Sequence, residues 1–432
     1  MKEDMHVIVV GAGQFMLEEE ALERQKQTNM CFLAGITGLL ICQGLKKLGV
    51  RYSIFEKEVA LNYRSNEWTM AIHWAMPMLK ELLPADLYAK IPAVSCNPAA
   101  GIHSGLYPII HAETGDMMIG VPFEDGLRVP RSRMRALCAE GIDVQYGRSL
   151  VDVTCNDSGN GVIATFSDGS IVSATMIIGA DGSKSRLREI LMGSAEKAAV
   201  TKFPIFHTNM TVCYGDEAKA RYVRQRFPTS YLALSQKSYH AFQSISGMPD
   251  GPDHPETWTF HMAMAWLGEN DNTMTYPERL ALIKSNAKDF GEPARSAFMW
   301  LPDDTEVHKA DISYWISQPW NNHQGRMTLA GDAAHPMPPY RGQGLNHCIC
   351  DISHLMDHMK DVLQERTTLN SAVAAYEAEM IPRGSEEVSA SVENGLMLHD
   401  WKRVQESPVF KRGFKPMDGH SKIEANLAAA KA

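Results

Sequence analysis

The sequence lacks several features that would each point to a different class of protein. None of its eight cysteines stands in a Cys-x-x-Cys pair, which disfavours a disulfide framework and a dithiol redox centre. There is no uninterrupted apolar run of about 18 residues, the length that a membrane-spanning helix needs. The Gly-x-Ser-x-Gly and His-Glu-x-x-His motifs of two hydrolase classes are also missing. We therefore expect no membrane span, no disulfide scaffold and no hydrolase of these two classes.

The chain also has no excess of basic residues. The chain has 42 lysines and arginines against 51 aspartates and glutamates, for a formal net charge of -9. This balance disfavours a nucleic acid or an anionic membrane as the main partner. Residues 1–6 carry two acids before the first apolar run, which is not the pattern of a secretory leader. We expect a cytoplasmic protein that acts on small molecules.

The first sixty residues contain the pattern of a βαβ unit. A β-branched run at residues 6–10 ends in Gly11-Ala12-Gly13, which predicts a buried strand followed by a glycine turn. Residues 35–49 predict a helix with lysines in its last turn, and residues 51–56 predict a second strand. An α/β fold with a parallel sheet is therefore expected.

A polar, helix-prone segment at residues 14–35 interrupts this unit and is interpreted as an insertion. Without it, Gly11 and Gly13 would be followed directly by the helix that contains Gly38, in the Gly-x-Gly-x-x-Gly spacing of a dinucleotide-binding turn. Gly35, at the junction, belongs to the same candidate site. Because the turn and the helix must be neighbours, we expect the insertion to impair cofactor binding.

Glu56 ends the second strand, where an acid accepts hydrogen bonds from the ribose hydroxyls of a bound nucleotide. An acid at this place disfavours a 2'-phosphate, so the nucleotide held here is not expected to be NADP. A glycine turn without any ligand remains the alternative for this motif taken alone.

Further along the chain, alternating strands predict a second region. Large apolar residues alternate over residues 257–266, and residues 231–245 and 310–315 also predict strands of an antiparallel sheet. A third strand-turn-helix begins at residue 326. The predicted organisation is the first part of a dinucleotide-binding domain at 1–195, a substrate-binding sheet at 196–320, the second part of the binding domain with helices at 321–400, and a tail at 401–432.

Four ordered motifs resemble those of the FAD-dependent aromatic hydroxylase family, the single-component flavoprotein monooxygenases, and especially its fungal members in secondary metabolism. They are the interrupted glycine turn with Glu56, LRVPRSRMR at 127–135, GADGSKSRLR at 179–188 and GDAAHPMPPYRGQGLN at 331–346. The resemblance implies a doubly wound, Rossmann-like FAD domain, an antiparallel substrate domain and C-terminal helices.

The resemblance also implies roles for particular residues. Asp332 would bind the ribityl chain of FAD, and the backbone at Gly344 and Leu345 would face the flavin ring or the pyrophosphate. Arg131 would contact FAD, and Asp181 is associated in the family with both FAD and the nicotinamide cofactor. For the other arginines of these motifs, Arg133, Arg135, Arg186 and Arg188, a solvated charge on a helix is an equally good interpretation.

The implied activity is hydroxylation or epoxidation of an apolar aromatic, polyketide-like or alkaloid-like small molecule, with FAD as cofactor and NAD(P)H and O2 as co-substrates. The alternatives are a flavin oxidase or halogenase of the same fold, or a flavoprotein fold inactivated by the insertion. The cofactor carries the chemistry in such enzymes, so no catalytic side chain is predicted.

Two further groups of residues have competing interpretations. Tyr231, His261, Trp266 and Trp315 are candidates for lining the substrate, although aromatic residues at strand spacing are more often plain core. Helical spacing of Asp351, His354 and His358, with His347, Cys348 and Cys350 nearby, would allow a metal site. We predict no metal, because polar residues on a helix that follows the flavin loop need no ligand.

Overall fold

The computed structural model describes residues 5–11, 34–61, 67–268 and 273–416. Its strands are β1 His6–Val10, β2 Arg51–Glu56, β3 Thr69–Ile72, β4 His103–His111, β5 Met117–Pro130, β6 Val144–Tyr146, β7 Leu150–Cys155, β8 Val162–Phe166, β9 Ile171–Ala174, β10 Met176–Gly179, β11 Thr201–Lys202, β12 Ile205–Cys213, β13 Ser230–Leu234, β14 His240–Gly247, β15 Thr259–Leu267, β16 His308–Ala310, β17 Ser313–Tyr314 and β18 Met327–Leu329. Its α-helices are α1 Ala34–Leu48, α2 Met76–Leu82, α3 Ala85–Tyr88, α4 Arg131–Ala139, α5 Arg186–Met192, α6 Ala195–Ala198, α7 Glu217–Gln225, α8 Tyr276–Ala287, α9 Ala294–Met299, α10 Gly344–Leu363, α11 Leu369–Leu398 and α12 Pro408–Arg412.

The parallel sheet has the strand order β18-β10-β1-β2-β6. Strand β1 lies in its centre and pairs in parallel with both β10 and β2. All five residues of β1 are buried, as expected of a β-branched run covered on both faces. The predicted α/β fold with a parallel sheet is confirmed.

Gly11 and Gly38 differ in the space around them. A Cβ on Gly11 would stand 2.7 Å from the carbonyl oxygen of Ala180, which leaves no room for a side chain, whereas one on Gly38 would lie 3.5 Å from the side chain of Ile54, an ordinary contact. Gly38 faces the sheet from α1, the place of the third glycine in a dinucleotide-binding turn.

The insertion itself lies largely outside the described residues, as does Gly13. Gly35, predicted both as the end of the insertion and as the start of the helix, lies in the first turn of α1, whose described part starts at Ala34. A Cβ on Gly35 would stand 2.6 Å from Nε of Arg135, so the first turn of α1 packs directly against this arginine. The effect of the insertion on cofactor binding stays a prediction.

The second sheet has eight strands in the order β16-β12-β15-β14-β13-β4-β5-β3. It takes β3, β4 and β5 from residues that the sequence-based division placed in the FAD-binding part. These strands join the rest of the sheet through a parallel pairing of β13 with β4, in which Leu232 lies opposite Ile109. The predicted strand at 231–245 is a hairpin instead, with a left-handed residue, Ser238, between β13 and β14. Within the described ranges, no helix has the length and apolar character that crossing a membrane requires.

Helices α10 and α11 pack together and hold the loop that precedes α10. The Asp351 carboxylate on α10 accepts hydrogen bonds from the backbone N–H of Gly331 at 2.8 Å and from Arg383 of α11 at 2.7 Å, and it lies 2.7 Å from Nε2 of His335. Burial raises the pKa of Asp351, but His335 and Arg383 outweigh it and bring this pKa to about 2. The carboxylate is therefore ionised and fixes the 331–343 loop to both helices.

We expect Asp351→Asn to lower the free energy of unfolding by about 3 kcal/mol, because it leaves Arg383 buried without its full counter-charge. Urea denaturation followed by circular dichroism measures this loss. The control is Asp357→Asn, which changes an exposed carboxylate on the same helix. Equal stability of the two variants would contradict the role given to Asp351.

Candidate active site

A cavity of about 610 Å³ lies between the eight-stranded sheet and the 331–345 loop. The sheet side contributes Arg128, Asn209, Phe242 and His261, and the loop side contributes Asp332, Pro336, Tyr340, Gly344 and Leu345. The cavity volume is within the range of small-molecule sites, and its walls are mainly apolar with a few polar groups. The predicted flavin-loop residues therefore share one cavity with side chains of the sheet.

Asp332 lies on a short 3-10 turn and is 7% exposed. The neighbouring backbone is held by Arg188, which donates to the carbonyl oxygen of Ala333 at 2.9 Å and to that of Ser183. The Arg188 guanidinium also lies over the ring of Trp315, 4.9 Å from its centroid. Arg188 thus joins the 179–188 motif to the 331–346 motif.

For three of the four other arginines in these motifs, the interpretation as a solvated charge on a helix does not hold. Burial lowers the pKa of Arg188 to about 10, while Asp181 and Asp332 raise it. Arg135 is buried and paired with Glu56 and Glu58. Arg133 donates to two backbone carbonyl oxygens, and of the four only Arg186 forms an exposed pair within its own helix. Sequence spacing could not show the buried contacts of these arginines, because the partners lie far away along the chain.

The start of α10 presents backbone N–H groups to the cavity. No side chain caps this 20-residue helix, and both Gly344 and Leu345 line the cavity. Gly342 just before it has a φ of +64°, and a Cβ there would meet nothing within 4 Å. Free amides at a helix N-terminus favour an anionic group, so this edge of the cavity fits the pyrophosphate or flavin ring of FAD.

Asp181 uses only one of its two carboxylate oxygens inside the protein. Its Oδ2 accepts from the backbone N–H groups of Arg186 at 2.7 Å and Leu187 at 3.2 Å, at the start of α5. Its Oδ1 is buried and has no hydrogen-bond partner among the described residues. A buried acceptor without a partner is costly, so Oδ1 fits a hydroxyl group supplied by a ligand.

Glu56 is 2% exposed, and its carboxylate accepts from the backbone N–H of Glu58 at 3.0 Å and lies 3.4 Å from Nη2 of Arg135. Burial raises the pKa of Glu56 to about 8 against the lowering effects of that N–H and of Arg135. Nε of Arg135 has no partner among the described residues. The end of β2 therefore holds an acid and an arginine beside the first turn of α1.

Arg131, predicted to contact FAD, lies beside Trp68. The Arg131 guanidinium lies over the indole of Trp68 at 4.8 Å from the ring centroid, and Trp68 lines the cavity. Arg131 stands at the junction of β5 and α4. The motif thus places its arginine where strand and helix meet beside the cavity.

Arg128 stands three residues earlier in the same motif and was not predicted from the sequence as a site residue. Its Nη1 donates to Oγ1 of Thr69 at 2.9 Å, and its guanidinium lies over Phe242 at 5.0 Å from the centroid. No carboxylate of the described residues pairs with it. Burial lowers the pKa of Arg128, yet arginine keeps its charge in proteins. The cavity thus contains a cation that has no counter-ion in the described part of the chain.

Two further polar groups face the same cavity. Nδ1 of His261 lies 3.1 Å from the Thr69 backbone N–H, which donates to it, so the ring proton is on Nε2. Burial, with the charges of Arg128 and His207, lowers the pKa of His261 well below its usual value, so the ring is neutral. Oδ1 of Asn209 is buried without a partner among the described residues. The cavity therefore offers hydrogen-bond donors and also an acceptor, Oδ1 of Asn209, that has no donor among the described residues.

Of the four aromatic candidates, only His261 lines the cavity. Tyr231 donates to Gln243 in the buried core, Trp266 stacks on Phe206, and Trp315 packs against Arg188. For these three residues the alternative interpretation as plain core fits, because strand alternation identifies a buried face but not which layer covers it.

One group of metal-ligand side chains occurs in the described part of the chain, formed by Cys350, His354 and Glu379. Glu379 pairs with Arg383, whose Nε lies 2.6 Å from Oε1. A second cation beside that guanidinium would be repelled. Asp351, considered with His354 and His358, is already held by His335 and Arg383. The absence of a bound metal stays a prediction.

Comparison with known proteins identifies the class. The family model for the FAD-binding domain matches residues 128–391. Relatives include the FAD-dependent monooxygenase phnB of Penicillium herquei, 71% identical over 90% of this chain and 95% of that protein. Another is the FAD-dependent monooxygenase cctM of Talaromyces islandicus, 34% identical over 88% of this chain and 95% of that protein.

Solved structures share the fold at low identity. HpxO of Klebsiella pneumoniae, determined with FAD and uric acid, has a TM-score of 0.70 at 17% identity, covering 98% of this chain and 96% of that one. CtdE, determined with FAD and a substrate, has a TM-score of 0.72 at 14% identity, covering 99% and 100%. The protein is thus a flavoprotein that uses FAD. It belongs to the family of FAD-dependent monooxygenases, as the sequence motifs implied.

We expect Asp332→Ala to remove most of the bound FAD, since a ribityl hydroxyl left without its acceptor costs about 1 to 3 kcal/mol. The flavin content per mole of purified protein, read from the visible spectrum, measures the loss. Asp304→Ala, which changes an exposed acid, is the control. Full flavin occupancy in Asp332→Ala would refute this assignment.

Proposed function

We propose that the protein is an NAD(P)H-dependent hydroxylase of an aromatic small molecule of fungal secondary metabolism that carries acidic hydroxyl groups. The observation that carries the proposal is the position of Arg128, a cation without a counter-ion among the described residues, in an aromatic-walled cavity that continues to the flavin loop. A phenolate or enolate oxygen would supply the missing negative charge. Asn209 would accept a hydrogen bond from a second hydroxyl group.

The residues that would hold FAD are those that the four motifs imply. Glycines in a dinucleotide-binding turn allow the backbone to approach the cofactor closely, and Asp181 offers a buried oxygen to it. The full proposed set is Gly11, Gly13, Gly35, Gly38, Glu56, Arg131, Asp181, Asp332, Gly344 and Leu345.

FAD reduced by NAD(P)H supplies the oxygen-activating chemistry. The chain's own residues bind and orient the substrate and exclude water from the cavity. Arg128 would hold an ionised oxygen, and its stacking on Phe242 fixes the direction of the guanidinium. The neutral ring of His261 would donate from Nε2, because Nδ1 is already an acceptor.

The relatives' names favour a monooxygenase over the other candidates, which are a flavin oxidase, a halogenase and an inactive flavoprotein. A panel of phenolic aromatics assayed with NADPH, NADH and isotopically labelled O2 separates them. We expect the right substrate to accelerate NAD(P)H oxidation and to gain one labelled oxygen atom. Product formed without NAD(P)H would indicate an oxidase, a halide requirement would indicate a halogenase, and protein without flavin would indicate an inactive fold.

We expect Arg128→Met to raise the KM for a phenolic substrate about tenfold, as a lost charge-assisted hydrogen bond of roughly 1.5 kcal/mol predicts. The flavin content should not change. Arg226→Met, which removes an exposed arginine at the rim of the cavity, is the control. If both variants bound the substrate like the unaltered protein, the role of Arg128 would be excluded.

A further inference from the structure

Residues 407–416, called the strap below, form part of the cavity wall. The sequence analysis assigned them to a tail, but Val409 and Phe414 both line the cavity. The ring of Phe414 lies 5.3 Å from that of Tyr107, 5.4 Å from that of His73 and 6.4 Å from that of Phe123, measured between centroids. Phe414 is thus one member of an aromatic group drawn from distant parts of the chain.

Side chains of the flavin loop hold the strap through its backbone. Nε2 of Gln343 donates to the carbonyl oxygen of Phe414 at 2.9 Å, and Nη2 of Arg341 donates to that of Lys415 at 2.8 Å. Arg341 is fully buried and is paired with Glu387 of α11 at 3.1 Å. The strap is therefore attached at a fixed place, next to the start of α10.

Two more contacts fix its direction. Oε1 of Gln343 accepts from the indole N–H of Trp74 at 2.8 Å, so the amide of Gln343 has one defined orientation. At the other end of the strap, the backbone N–H of Val409 donates to Oδ1 of Asn394 at 2.9 Å. Both ends are hydrogen-bonded to elements that also carry the 331–345 loop, which makes strap and loop one unit.

We propose that the strap closes the substrate cavity and that Phe414 is a positioning residue, which completes the aromatic wall and keeps water from the flavin. The proposal rests on the proposed function only for the identity of the molecule inside. An exposed reaction site would release reduced oxygen as hydrogen peroxide instead of transferring it, because water exclusion protects reactive intermediates. The anchoring by Arg341 and Gln343 ties this closure to the loop that carries the cofactor-binding residues.

Phe410 provides a matched comparison within the same segment. It packs on the third hydrophobic cluster, at a partly buried position, and it is not among the residues that line the cavity. Replacing either ring by alanine removes the same number of atoms from the strap. Only the loss of Phe414 opens the cavity wall, so the two variants separate closure from simple packing.

The test uses the purified, FAD-loaded full chain with Phe414→Ala, Phe414→Leu and Phe410→Ala. Quenching of flavin fluorescence by iodide measures solvent access without substrate or NAD(P)H. We expect Phe414→Ala to raise the quenching constant about threefold, as opening of a closed site predicts, Phe414→Leu to raise it less, and Phe410→Ala to leave it unchanged.

With a turned-over substrate, Phe414→Ala should also raise KM about tenfold, the equivalent of the apolar contact of one ring, and increase peroxide formed per NAD(P)H oxidised. Unchanged quenching in Phe414→Ala, or the same increase in Phe410→Ala, would overturn the proposal. If Phe414→Ala does not fold, Phe414→Leu decides by the same criterion. If no phenolic substrate is oxidised, the proposed function fails while the quenching result still decides the role of the strap.

Discussion

The buried Asp351 carboxylate is the interaction on which the site depends. It is held by the Gly331 backbone, His335 and Arg383, and this fixes the loop that forms one side of the cavity. An ion pair inside a protein is retained only where its geometry is fully satisfied. Here it joins two helices and a loop that apolar packing alone would not orient, so Asp332 and the start of α10 face the cavity together.

The opposite side depends on a different constraint, the pairing of distant strands in the eight-stranded sheet. Strand β5 carries Arg128 and leads directly into α4 at Arg131, so one continuous segment supplies both the cation of the cavity and the arginine that stacks on Trp68. Because β13 pairs with β4 in parallel, residues far apart in the sequence meet around one cavity. The flavin loop and the eight-stranded sheet together form the cavity in which we propose that the reaction takes place.

The sequence predicted the local features well. The β-branched run of β1, the strand ending at Glu56 and the helix that begins at the end of the fourth motif lie where they were expected, because hydrophobic periodicity and glycine turns are local signals. Arg128, the buried state of Arg188 and the strap could not be predicted. Each depends on partners that only tertiary structure brings near, such as Phe242 for Arg128.

A crystal structure of the protein with FAD and a phenolic ligand tests the central claim most directly. The claim is that one cavity joins the cofactor loop to Arg128, the cation that binds the substrate. We predict that the ribityl chain contacts Asp332, that the flavin ring lies beside Gly344 and Leu345, and that the ligand's ionised oxygen binds Arg128. A complex in which FAD does not touch Asp332, or in which the ligand lies away from Arg128, would contradict the account.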